Sequence, residues 1–100
     1  MDAGLHGKIV LVTGASGGIG AACARSFTEE GAKPVLSGYR NFAAVERLST
    51  ELPSDCIAIR ANVREESDVE HLFIKAVEHF GTIDIVVANA GVWPPEATPY

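Results

Sequence analysis

The apolar run Ile9-Val10-Leu11-Val12 leads directly into Thr13-Gly14-Ala15-Ser16-Gly17-Gly18-Ile19-Gly20. A buried strand therefore runs into a glycine-rich turn, and the turn opens a helix. That order presents bare backbone amides and a helix N-terminus, the combination that receives a phosphate. Gly14 permits the tight turn out of the strand. Gly17 and Gly18 let a pyrophosphate approach the backbone, and Gly20 lets the helix lie close to the sheet. Ser16 adds a hydroxyl that reaches a phosphate oxygen. No Lys-Ser or Lys-Thr follows, which excludes a nucleoside-triphosphate P-loop.

The rest of the chain keeps a strand–helix rhythm. Strands are expected at residues 8–12, 34–37, 56–61 and 83–88, with a first helix over 18–30. The stripe Ile19, Cys23, Phe27 is expected to give that helix its buried face, and Gly31 its left-handed end. Pro34 lacks an amide hydrogen and is expected to open the second strand. Asn41 is positioned to cap a second helix with the stripe Val45, Leu48, Leu52, ended by Pro53. The third helix carries Val69, Leu72, Phe73, Ala76, Val77 and Phe80, with Ser67 as a candidate cap and Gly81 as its stop. Strands that are apolar throughout are covered by helices on both faces, so they are parallel. Right-handed crossovers then give the order 3-2-1-4, with the glycine turn at the switch point between strands one and four.

With 47% apolar residues over 100, a packed α/β core is expected, forming part or all of one domain. A net charge of −5 argues against nucleic acid and anionic membranes as partners. No apolar run has transmembrane length and no secretory leader is read, so a cytoplasmic location is expected. Cys23 and Cys56 lie too far apart for a metal knuckle, and Cys23 reads as a small core residue. His6, His71 and His79 form no constellation, and no metal site is expected.

At this point the residues resemble the short-chain dehydrogenase/reductase family. The likeness starts at Gly7-Lys8-Ile9-Val10-Leu11-Val12-Thr13-Gly14 and continues through Gly31-Ala32-Lys33 and Asn62-Val63. It ends on Gly81-Thr82-Ile83-Asp84-Ile85-Val86-Val87-Ala88-Asn89-Ala90-Gly91. Gly14, Gly18 and Gly20 fit the single-domain branch, whereas Gly14, Gly17 and Gly20 fit the extended branch of the sugar epimerases. Asn89-Ala90-Gly91 is similar to the former. The resemblance implies a Rossmann-like doubly wound sheet of which this chain holds the N-terminal, cofactor-binding part, residues 1–100. It implies that Gly14, Ser16, Gly17, Gly18, Ile19 and Gly20 form the pyrophosphate turn. Asn62 would hydrogen-bond the adenine and Val63 would pack beside it. Asn89, Ala90 and Gly91 would pass under the ribose toward the nicotinamide, and Asp84 looks structural.

NAD users of this family place Asp or Glu at the end of strand two to accept from the ribose hydroxyls. Here the strand ends Ser37-Gly38-Tyr39-Arg40, with Gly38 about where the acid would stand. Without that carboxylate a 2′-phosphate is not repelled, and Arg40 can clamp it, so NADP is favoured over NAD. Relatives follow the Asn-Ala-Gly segment, one or two strand–helix units later, with a Ser and a Tyr-x-x-x-Lys that transfer the proton. Tyr100 is too close to Gly91 to be that Tyr, so no catalytic residue is assigned within the chain. The function implied is the NAD(P)-binding half of an oxidoreductase that moves a hydride between nicotinamide and an alcohol or carbonyl substrate. In full-length form it would assemble as a homo-oligomer. A non-catalytic nucleotide-binding or redox-sensing module on the same fold is the alternative, and an epimerase or dehydratase of the extended branch a third reading. As an isolated unit the chain is expected to be marginal and aggregation-prone, because strand four is an apolar edge.

Overall fold

Four short strands form one sheet, and the chain between them is helical. The computed structural model describes residues 4–88. The order is β1 (Ile9–Val12), α1 (Gly18–Glu29), β2 (Lys33–Gly38), α2 (Phe42–Glu51), β3 (Ile57–Arg60), α3 (Glu66–Phe80) and β4 (Ile85–Val87). The sheet runs β3-β2-β1-β4, and every neighbouring pair is parallel. This is the doubly wound, Rossmann-like α/β arrangement expected from the sequence.

β1 lies at the centre and all four of its residues are buried, which explains why it carries no polar alternation. Val10 and Val12 pack with Ala24 of α1, Leu36 of β2 and Val45 and Leu48 of α2. Ile9 and Leu11 point the other way and pack with Val35, Ala61 and, from α3, Leu72 and Ala76. Two core layers thus sandwich the sheet, with α1 and α2 on one face and α3 on the other. Gly31 and Gly81 both adopt φ of 87° and end α1 and α3 as left-handed stops.

Several local expectations are corrected. Ile19 is not on the buried face of α1: it is 72% exposed, and the residues turned to the sheet are Gly20, Ala24 and Thr28. The helix rolls toward its smallest side chains because Gly20 sits against the backbone of Gly14 and Ala15. Cys23 is accordingly only partly buried. Lys33, not Pro34, opens β2. Pro34 is accommodated because alternation turns its nitrogen toward β3, and the β2–β3 ladder begins only at Val35. Asn41 does precede α2, but its side chain makes no capping bond. Glu65 rather than Ser67 stands at the N-cap of α3. Of the α3 stripe, Leu72 and Ala76 are buried while Phe73 and Val77 stay 38% and 44% exposed. Strands β3 and β4 are shorter than the apolar runs that contain them.

β4 is an edge of the described sheet, with Val86 49% exposed. Just ahead of it Asp84 ties the edge to the core. The Ile9 amide donates to Asp84 Oδ2 at 2.9 Å, and the Asp84 amide donates to the Ile9 carbonyl at 2.9 Å. Ile9 is buried, so removing the acceptor strands its amide. Asp84→Ala is therefore expected to lower stability by about 1–2 kcal/mol, read as a shift of the urea midpoint at unchanged slope.

Candidate functional site

The strand order reverses at β1. α1 and α2 carry the chain outward to β2 and β3 on one face, and α3 brings it back to β4 on the other. Beyond the C-terminal ends of β1 and β4 this leaves a crevice, the place where open α/β sheets receive ligands. The glycine turn hangs across that crevice. The Thr13 amide donates to the Val87 carbonyl at 3.1 Å, and the Ala15 amide to the Ser37 carbonyl at 2.9 Å. One side of the turn is thereby fastened to β4 and the other to β2.

The glycines of the turn divide into two kinds. Gly14 has φ of 65°, which disfavours any side chain. At Gly20 an added Cβ would collide with the Gly14 carbonyl, lying 2.9 Å from its carbon. These two hold the turn and helix together. Gly17 and Gly18 have ordinary φ values and are not required by packing. A Cβ on Gly17 would meet only the Gly14 oxygen at 3.6 Å, and one on Gly18 would meet nothing within 4 Å. Their missing side chains leave open space in front of the first amides of α1, which have no partner inside the helix. The first turn of α1 carries no acid, so its partial positive charge is not cancelled. Ser16 and the displaced Ile19 are both exposed beside this opening. A cradle that side chains would fill, lined by free amides and a hydroxyl, fits a pyrophosphate.

The end of β2 forms the next wall. A Cβ on Gly38 would lie 3.8 Å from Ser16 Oγ and 2.6 Å from Val45 Cγ2. Gly38 thus joins the turn to α2, with no room for a larger residue. Arg40 is exposed in the loop that follows. Arg60 stands directly across from Gly38 in register, and its guanidinium covers the Tyr39 ring at 4.8 Å. Ser37 is buried, and its hydroxyl has no hydrogen-bond partner among the described residues.

Past β3, Asn62 forms a local turn. Its Oδ1 accepts from the Arg64 amide at 3.1 Å, and its own amide donates to Asp68 Oδ2 at 2.8 Å. The side-chain NH2 of Asn62 remains the group able to address a base, and Val63 beside it is half-buried. Asn89, Ala90 and Gly91 lie outside the described residues. His71 and His79 are exposed, and His79 Nε2 lies 3.8 Å from Asp55. Burial and the Asp55 charge push the Cys56 thiol pKa up, and its Sγ donates to the Ser49 carbonyl at 3.1 Å. Cys56 precedes the N-terminal end of β3, opposite the end that faces the crevice. Among the described residues no group of His, Cys, Asp and Glu is arranged for a metal, and no helix is long and apolar enough to cross a membrane.

A parallel sheet that reverses at its central strand, with a glycine turn strung across the reversal, defines a dinucleotide-binding α/β protein. The sequence pattern of the short chain dehydrogenases matches residues 8–99, and the chain belongs to that family. A short chain dehydrogenase of Claviceps purpurea is 46% identical over 91 residues, and versicolorin reductase stcU of Emericella nidulans is 45% identical over 91. Each of these matches covers 88% of this chain and 34% of the relative. The chain thus spans about a third of the length of the curated relatives it matches. A crystal structure of 3-ketoacyl-(acyl-carrier-protein) reductase from Brucella melitensis, complexed with NADH, superposes with a TM-score of 0.77 at 36% identity. That alignment covers 82% of this chain and 33% of the reductase.

Proposed function

We propose that this chain is the NADP-binding half of an oxidoreductase that transfers a hydride between the nicotinamide and an alcohol or carbonyl substrate. The observation that carries the reading is the division of the glycines. Gly14 and Gly20 are needed to build the turn, whereas Gly17 and Gly18 leave open the space a pyrophosphate would fill. The family supports the nicotinamide dinucleotide, and the NADH in the Brucella reductase supports its placement on this fold.

When bound, the cofactor supplies or accepts the hydride. The residues of this chain hold and orient it. The amides after Gly17 and the Ser16 hydroxyl take the pyrophosphate, with Ile19 packing beside it. Asn62 and Val63 border the adenine. By the family pattern Asn89, Ala90 and Gly91, which lie outside the described residues, would border the ribose on its way to the nicotinamide. Preference for the 2′-phosphate follows from charge. No acid occurs between Ser37 and Val45, and Arg40 stands in the loop that the phosphate would meet. Proton transfer belongs to a Ser and a Tyr-x-x-x-Lys beyond Gly91, as the family pattern has them. The branch is the single-domain one, and the full-length protein is read as a homo-oligomer.

Titration with NADPH and NADH, followed by nicotinamide fluorescence, tests the reading. NADPH is expected to bind at least about tenfold more tightly, the worth of one charge-assisted contact of about 1.4 kcal/mol. Equal affinities would refute the choice of NADP. Failure to bind either nucleotide would refute the cofactor site itself.

A further inference from the structure

We infer that Arg60, at the end of β3, is a second cation for the phosphorylated ribose and sets cofactor choice together with Arg40. The inference rests on the dinucleotide reading above and adds a residue to it.

In a parallel sheet, residues paired in register point to the same face. Arg60 pairs with Gly38, and the Cβ direction of Gly38 points to Val45 of α2 and to Ser16 of the turn. Arg60 therefore projects on the face that carries the glycine turn, at the corner where β2, β3 and the start of α2 meet. In an otherwise apolar strand it is the single charged residue, placed at the end nearest the crevice.

Its orientation is held from two sides. Nε donates to the Tyr39 carbonyl at 3.3 Å, and the guanidinium covers the Tyr39 ring at 4.8 Å. Stacking and one hydrogen bond set the plane of the fork before any ligand arrives, so less rotamer freedom is lost on binding. The terminal nitrogens keep donors for an anion.

Among the described residues no carboxylate neutralises Arg60. The ion pairs among the described residues join Arg25 to Glu51, Lys75 to Glu78 and His79 to Asp55, and Arg60 is in none of them. Arg25 shows how this chain uses a merely structural arginine: it lies 2.7 Å from a carboxylate. Arg60 is instead stacked on an exposed ring next to Arg40, in a stretch without acids. Arg60, and Arg40 in the loop that follows Tyr39, enter no ion pair among the described residues, and this positive charge in a chain of net charge −5 suits an anion subsite.

Calorimetric titration of NADP+ and NAD+ into the chain, its Arg60→Gln form and its Tyr39→Leu form tests this. Arg60→Gln is expected to weaken NADP+ about tenfold and to leave NAD+ within about twofold, since only the former carries the added phosphate. Tyr39→Leu is expected to weaken NADP+ by a smaller factor, about threefold, by freeing the guanidinium. Unchanged NAD+ affinity and an unchanged circular dichroism melt show that the variants are folded. If the parent chain prefers NADP+ and Arg60→Gln keeps that preference, the role of Arg60 is overturned while the NADP reading stands. Equal losses for both nucleotides also overturn it. If the parent chain shows no preference for NADP+, both fall.

Discussion

Gly20→Ala is expected to destabilise the chain by about 3 kcal/mol and to abolish nucleotide binding, while Gly18→Ala leaves stability intact and damages binding alone. The Cβ of the first variant has nowhere to go. It would press on the carbonyl and carbon of Gly14 and on the Cα of Ala15, all backbone, at the point where α1 meets the turn. Alanine gains about 1 kcal/mol of helix propensity over glycine, too little to offset that overlap. For a domain of about 100 residues the loss lowers Tm by roughly 12–24 °C. It also moves α1 off the sheet, so the amides of its first turn no longer converge. At Gly18 the same methyl meets nothing within 4 Å, and φ is not left-handed. Its Tm is expected to hold or rise slightly, because alanine restricts the unfolded chain by about 0.4–1 kcal/mol. NADPH affinity is expected to drop at least about tenfold, because the methyl occupies the space the pyrophosphate needs. Thermal melts paired with NADPH titration separate the two effects. A Gly20→Ala chain that melts like the parent would show that the turn does not depend on this contact.

That contrast marks how much of the site the sequence discloses. The glycine turn was legible because it is local: strand, turn and helix follow one another within about a dozen residues, and each glycine answers to a nearby steric demand. The strand order was legible for a different reason, since handedness leaves few ways to wind four parallel strands. Side-chain direction was less legible. The Ile19, Cys23, Phe27 spacing is helical, but closeness of approach outweighs apolar size: Phe27 still packs against the core, whereas Ile19 turns outward. The face that packs is the one with the smallest residues, Gly20, Ala24 and Thr28. Phe73 and Val77 follow the same lesson, because periodicity sets a face without saying how wide a strip the neighbours cover. The Tyr39–Arg60 contact was missed because it joins residues 21 apart through the β2–β3 register. The one available signal was a charge at the end of an apolar strand.

Gly38→Asp is expected to fail as a simple route to NAD specificity, and the reason is packing. The end of β2 is where a carboxylate would accept from both ribose hydroxyls and repel a 2′-phosphate. In this chain the Cβ of that residue would lie 2.6 Å from Val45 Cγ2, and Val45 is fully buried between β2 and the rest of its cluster. A β-branched side chain has little rotamer freedom with which to withdraw. The single variant is therefore expected to lose about 2–3 kcal/mol of stability and to bind both nucleotides poorly. Gly38→Asp combined with Val45→Ala opens the space. The pair is expected to be more stable than the sum of the single losses by about 1 kcal/mol or more, as contacting residues couple. With the carboxylate seated, the double variant is expected to prefer NAD+ over NADP+, reversing the order of the parent chain. Denaturant titration of all four proteins gives the coupling, and calorimetry with both nucleotides gives the preference. Additive stabilities would mean that Val45 does not restrain position 38. Coupling without a reversed preference would mean that Arg40 and Arg60, rather than the missing acid, decide which nucleotide this fold holds.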